Sequence, residues 1–136
     1  KSVPLKFVGT DSTSGLLFLK ALVEADSKIK FEPATLGDDN LKLGQTVMEI
    51  TGQIRNKVSI GRVTDLIMKE GVPAASSTVV LIKTDFGIKD NVVGSPLINL
   101  SGDLVGVRIT AFDLAAEGFI PSKVIKDAIT ALPKAQ

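Results

Sequence analysis

The nucleophilic side chains of this sequence are hydroxyl, carboxylate and amine groups, because the 136 residues contain no His and no Cys. Histidine is the usual general base near neutral pH and the commonest metal ligand. A Ser-His-Asp triad cannot be assembled from these residues alone, and disulfides and thiolate metal sites are excluded. We therefore predict no metal site and no cofactor in this chain.

Ser95 is the hydroxyl residue whose surroundings most invite a catalytic interpretation. It follows Asn91-Val92-Val93-Gly94 and precedes Pro96, within a segment of turn-forming character. A nucleophilic serine needs a base within hydrogen-bonding reach, and this sequence offers no imidazole to fill that role. We interpret Ser95 as a small residue in a tight loop.

The charge balance argues against two classes of partner. Sixteen Lys and Arg residues stand against fifteen Asp and Glu residues, which leaves a net charge of +1. A nucleic-acid-binding or membrane-surface protein usually carries a clear basic excess. The longest apolar runs, such as Val79–Ile82, are far too short to span a bilayer. We predict no nucleic-acid partner and no membrane span.

Short strands separated by turn residues dominate the pattern. The strand candidates are Leu5–Val8, Leu16–Leu19, Thr46–Thr51, Val58–Val63, Val79–Ile82, Leu97–Leu100 and Leu104–Ile109. Ser101-Gly102-Asp103 between the last two runs predicts a hairpin turn. About eight to ten short strands are typical of an all-β barrel or sandwich. Residues 14–26 also contain several helix formers, so helix and strand both remain open there.

One helix is predicted, at the carboxyl end. Pro121 fixes the entry, and Ser122 has the side chain of a good N-cap. Pro133 ends the segment. The apolar residues between them recur at helical spacing on one face, at Val124, Ile125, Ala128, Ile129 and Leu132.

Six segments stand in an order that is typical of one protein family. They are VGTDSTSGLLFLK at 8–20, ATLGDDNLKLGQTV at 34–47, KVSIGRV at 57–63, KTDFGI at 83–88, GSPLINLSGDLVGV at 94–107 and GFIPS at 118–122. In this order and at nearly this spacing they resemble the HtrA/Deg branch of the trypsin-like serine proteases. The resemblance covers almost the whole chain.

The resemblance implies a fold and a division of the chain. The family has two six-stranded Greek-key barrels with the active site in the cleft between them. We therefore expect an all-β, trypsin-like Greek-key barrel with a C-terminal helix, in an N-terminally truncated member. Residues 1–35 are predicted to be a remnant of the first barrel, 36–120 the complete second barrel and 121–133 the helix. The remnant would expose Leu5, Phe7, Leu16 and Phe18, which favours self-association.

Matched to the family's motifs, the catalytic positions look degenerate. Gly15 stands where the family has the Asp of its triad, and Val93 stands at the nucleophile's place. Asn91 and Val93 lie in what would be a vestigial oxyanion loop. Valine has no nucleophilic atom, so no acyl-enzyme can form on it. We therefore predict that the chain is not an enzyme, although ancestry would connect it with serine-type endopeptidases.

A protease fold without its triad could still bind peptides. The family binds substrate as an added strand, and the matching edge here is Arg108-Ile109-Thr110, with Arg108 as a candidate anchor for a carboxylate. The prediction is an inactive HtrA-like scaffold or peptide-binding module, located in the periplasm or cell envelope. Two alternatives stay open. One is a serine endopeptidase whose active site is completed by residues outside this chain, and the other is an unrelated small β-barrel binding protein.

Overall fold

In the computed structural model, the described residues are 2–24, 27–37, 40–52, 57–71, 73, 78–86, 92–110 and 117–132. They form eight strands and one helix. The strands are β1 (Leu5–Asp11), β2 (Leu16–Ala21), β3 (Thr46–Thr51), β4 (Lys57–Met68), β5 (Val79–Thr84), β6 (Pro96–Asn99), β7 (Leu104–Thr110) and β8 (Glu117–Pro121). The helix α1 follows directly at Ser122–Ala131.

Six of the strands close into a barrel in the order β3-β4-β5-β8-β7-β6, with β6 pairing back onto β3. All of these pairs are antiparallel. After the meander β3-β4-β5, the chain crosses over so that β6 lies beside β3, which is a Greek-key connection. Closure leaves the barrel without an unpaired sheet edge along most of its length. The expected all-β Greek-key barrel with a C-terminal helix is confirmed.

The barrel interior is apolar over most of its length. Its core cluster consists of Val47, Val63, Ile82, Leu97, Val105 and Phe119, each at most 2% exposed. Close packing admits little extra volume, because a Cβ atom added at Gly106 would lie 2.9 Å from the Ile120 carbonyl oxygen. The barrel is therefore a filled core and not a channel.

The β1–β2 hairpin is a separate two-stranded sheet. It resolves the open choice for residues 14–26 in favour of a strand over Leu16–Ala21. Leu5 and Phe7 are each 57% exposed, as expected. The expectation for Leu16 and Phe18 was wrong, because both are half-buried. In the observed register Phe7 lies opposite Leu19, so the exposed face carries Leu17 and Leu19 instead.

Helix α1 packs against the barrel with Ile125 and Ala128 buried. The predicted N-cap role of Ser122 was wrong: Pro121 occupies the cap position, no side chain caps the helix, and Ser122 is the first helical residue. The Ser122 hydroxyl instead donates a hydrogen bond to the Leu104 carbonyl, which attaches the helix to β7. The helix ends at Ala131, and the predicted stop at Pro133 lies outside the described residues. Within the described part of the chain, no helix has the length and apolar character needed to cross a membrane.

Candidate functional site

A tight turn at residues 92–95 precedes β6. The Ser95 N–H donates to the Val92 carbonyl at 3.1 Å, and Gly94 has a φ of 89°, which favours glycine at that position. Val93 lies at the tip of this turn and is 63% exposed. Its assignment to the nucleophile's position remains a prediction. Asn91, the other predicted residue of the oxyanion loop, lies outside the described residues.

The main chain of Arg108 in β7 makes two hydrogen bonds to this turn. The Gly94 N–H donates to the Arg108 carbonyl at 2.9 Å, and the Arg108 N–H donates to the Ser95 carbonyl at 2.9 Å. Both backbone groups of Arg108 therefore face β6. In an antiparallel ladder the next residue, Ile109, then faces the opposite neighbour, and Ile109 lies opposite Gly118 in β8.

This alternation decides which of the three residues of the predicted peptide-binding edge have backbone groups that are already bound. The backbone groups of Arg108 already bind the turn, and those of Ile109 face β8. The groups of Thr110 point to the same side as those of Arg108, one step beyond the contact with Gly94. The backbone of Thr110 is thus the part of the three-residue segment whose neighbour on that side is not among the described residues, and its role as a peptide-binding edge remains a prediction.

The side chain of Arg108 lies inside the barrel and does not serve as the predicted carboxylate anchor at the surface. Its Nε donates to Glu49 Oε1 at 2.5 Å, and its Nη2 donates to Glu49 Oε2 at 2.7 Å. Arg108 is 5% exposed and Glu49 is 2% exposed. The guanidinium also lies 4.4 Å from the centroid of the Phe119 ring. Because Glu49 and Phe119 already occupy it, the guanidinium has no open face toward solvent for an external carboxylate.

Glu49 is a site residue that the sequence analysis did not single out. In Thr46–Thr51 the apolar Met48 and Ile50 alternate with Glu49, so the simplest expectation turns the glutamate outward. The structure turns it inward with Val47 and Thr51, both of which are buried. No signal in the sequence marked it, because Arg108 stands between Val107 and Ile109 at a position where strand alternation also predicts an outward side chain.

Ser95 lies at the same end of the barrel as the ion pair. It is 4% exposed, and its hydroxyl has no hydrogen-bond partner among the described residues. The buried polar residues of β3 and β7 are Glu49, Thr51 and Arg108. The burial of Ser95 agrees with its interpretation as a small residue in a tight loop, and its hydroxyl is not presented at the surface.

Gly15, predicted at the position of the triad Asp, lies in the turn of the β1–β2 hairpin and shares no sheet with residues 92–95. Its φ of 71° is one that glycine adopts readily. Next to it, the Asp11 carboxylate accepts hydrogen bonds from the hydroxyl and the N–H of Ser14. The Ser14 hydroxyl is the main reason that the pKa of Asp11 lies below its ordinary value. These contacts close the hairpin turn.

The closed Greek-key barrel, the turn before its fourth strand and the terminal helix define a trypsin-like serine-protease fold. The crystal structure of Deg5 superposes on this chain with a TM-score of 0.69 at 27% identity, over 92% of this chain and 58% of that one. The Serine protease Do-like HtrA of Bacillus subtilis is 30% identical over 91% of this chain. A Probable periplasmic serine endoprotease DegP-like of Marinomonas is 32% identical over 93% of it. The chain is thus a homologue of the HtrA/DegP serine proteases.

No protein-family model matches the chain. The chain spans 29% of the length of the Bacillus relative and 27% of the Marinomonas relative. The prediction that the chain is not an enzyme is contradicted, because the matching relatives are named serine proteases and the family to which they point is one of peptidases.

Proposed function

We propose that this chain supplies the second, peptide-binding barrel of an HtrA-type serine endopeptidase whose active site is completed by residues outside the 136. The sequence has no His and has Val93 at the predicted nucleophile's place, so both the imidazole and the attacking hydroxyl of any triad come from elsewhere in the assembled enzyme. The observation that carries the proposal is the end of β7. There both backbone groups of Arg108 bind the 92–95 turn, and strand alternation places the N–H and C=O of Thr110 on that same side, away from β8.

An extended peptide would bind at this end by adding a strand. Its backbone would exchange hydrogen bonds with the N–H and C=O of Thr110, antiparallel to β7. The turn at residues 92–95 borders the same side of β7, because Gly94 and Ser95 are hydrogen-bonded to Arg108, two residues before Thr110. A peptide carbonyl held by Thr110 would then lie next to the turn that the family uses for its nucleophile and oxyanion groups.

The Thr110→Pro variant of the full chain tests this contact. Proline removes the N–H of Thr110 and is tolerated where that group is not part of a ladder. We expect fluorescein-labelled casein to bind roughly five- to tenfold more weakly in fluorescence anisotropy, since one backbone hydrogen bond contributes about 1 kcal/mol. Thr110→Val keeps the N–H and is the matched control, with an affinity close to that of the wild type.

Two outcomes would contradict the proposal. One is a wild-type chain that does not bind the casein probe. The other is equal binding by the proline and valine variants, which would mean that peptides bind elsewhere. Cleavage of the same casein is then measured on the intact protein, since proteolysis belongs to the assembled active site and not to this barrel alone.

We also propose that two copies of the chain associate through the β1–β2 hairpin. One face of this hairpin carries four large apolar residues, each at least half exposed: Leu5, Phe7, Leu17 and Leu19. The hairpin is a two-stranded sheet, so each strand has a neighbour on one side only within the described sheet. A second copy of the same face would supply matching apolar area, as in an isologous dimer.

An extracytoplasmic location fits this assignment. One of the relatives is named as periplasmic and another, from Arabidopsis thaliana, as chloroplastic. We propose that the protein acts outside the cytoplasm, where a peptidase that binds extended segments would encounter unfolded chains.

A further inference from the structure

The buried pair of Glu49 and Arg108 reaches across one strand of the barrel. Glu49 lies on β3 and Arg108 on β7, and β6 pairs with both of these strands. The pair therefore connects the two neighbours of β6 over its inner face. β6 begins at Pro96, directly after the 92–95 turn, so the pair lies at the point where the turn enters the barrel.

The main chain of Arg108 makes the second half of the connection. It accepts a hydrogen bond from Gly94 and donates one to the Ser95 carbonyl, each at 2.9 Å. One residue thus binds the turn through its backbone and the opposite strand through its side chain. Phe119 on β8 restrains the guanidinium further, at 4.4 Å from the ring centroid. Strands β3, β7 and β8 are all fixed relative to the turn through this one arginine.

Stability alone does not account for such a pair. Removing two charges from water is costly, and an apolar pair of similar volume is often equally stable or more stable. The surrounding core is apolar and could accommodate one, since Val47, Leu97 and Phe119 are fully buried around it. The pair is costly to bury and lies next to the turn. Its two hydrogen bonds are directional, so they fix the relative position of the strands, which non-directional apolar contacts do not.

We infer that Glu49 and Arg108 are positioning residues that set the conformation of the 92–95 turn, and through it the edge at Thr110. The part that concerns peptide binding rests on the proposed function, whereas the part that concerns the turn does not. The buried Ser95 hydroxyl, which has no hydrogen-bond partner among the described residues, supports the inference. A turn that leaves a buried hydroxyl unsatisfied is not at its own energetic optimum, and it persists because its surroundings hold it.

The double variant Glu49→Leu/Arg108→Met in the full chain separates positioning from stability. We expect a folded barrel with a thermal midpoint equal to or above that of the wild type. The Gly94 amide should nevertheless exchange with deuterium roughly tenfold faster, because its acceptor on Arg108 is no longer held in place. The Val63 amide, which donates to the Gln45 carbonyl on the other side of β3, should keep its wild-type exchange rate.

Val47→Ala is the matched control, because it weakens the core while both charged side chains of the pair stay in place. It should accelerate exchange at Gly94 and at Val63 together, as a loss of global stability does. Should the double variant not fold, Glu49→Gln keeps the size and one acceptor, and it should still accelerate Gly94 more than Val63. Wild-type exchange at Gly94 in a folded double variant would overturn the inference.

Casein anisotropy on the same variants adds the functional arm. If the wild type binds the probe, the double variant should bind it roughly tenfold more weakly while remaining fully folded. An unchanged affinity would overturn the link between the turn and the edge. A wild type that does not bind contradicts the proposed function instead, and the exchange experiment still decides whether the pair positions the turn.

Discussion

The six-stranded barrel and the β1–β2 hairpin bury their apolar residues to very different degrees. In the barrel, Leu97 and Ile82 are completely buried, whereas in the hairpin Leu17 remains 56% exposed. Both regions have strand-forming sequences of similar apolar content. The difference comes from closure, because a barrel covers its inner face with its own strands, and a two-stranded sheet has nothing of its own to cover either face.

Truncation of one leucine in each region gives the largest expected contrast. Leu97→Ala removes fully buried atoms and leaves a cavity, which should lower the free energy of unfolding by about 2–5 kcal/mol. Leu17→Ala removes side-chain atoms that are already half in water, and its effect should stay within about 1 kcal/mol. Urea denaturation of both variants measures the difference. Equal losses of unfolding free energy in the two variants would show that Leu17 is fully covered in solution, by more than a weakly bound partner.

A charge on the hairpin face should affect association more than folding. Phe7→Lys places an ammonium group on the exposed apolar face, and we expect the concentration dependence of the molecular mass in size-exclusion chromatography with light scattering to disappear. Lys6→Glu changes the charge of the neighbouring residue, on the other face of the strand, and should leave association intact. A wild-type chain that is monomeric at every concentration would contradict the proposed dimer.

The general architecture could be predicted from the sequence because it depends on repeated local signals. Strand periodicity, the turn residues at Ser101–Asp103 and the order of family segments each indicated the barrel, and together they agreed. The hairpin's exposed face was harder to predict. A register that pairs Phe7 with Leu19 turns Leu17 outward and Phe18 inward, and the continuous apolar run Leu16–Leu19 does not specify which alternation holds.

The interior ion pair could not be predicted from either strand taken alone. In β3 the hydrophobic pattern favours Met48 and Ile50 as the buried residues, yet the structure buries Glu49 and leaves Ile50 36% exposed. A charged residue is turned inward only if a partner of opposite charge meets it there, and that partner lies 59 residues away in the sequence. Periodicity is a local signal, so it carries no information about this compensation.

The smallest expected effect comes from the hairpin and concerns the Asp11 carboxylate. The pKa of Asp11 is lowered chiefly by the Ser14 hydroxyl. A lowered folded-state pKa means that the ionised form is preferred in the folded hairpin, so this contribution to stability is present above the ordinary value of 3.8 and is lost as the pH falls through the folded-state value.

Ser14→Ala removes the main cause, and the pKa of Asp11 should rise toward its ordinary value in an NMR titration of the side-chain carboxyl. The wild type should then lose slightly more stability than the variant on acidification below about pH 4. Coincident titrations of Asp11 in both proteins would show that the serine hydroxyl does not hold the carboxylate in solution, and that the hairpin turn depends on its backbone hydrogen bonds alone.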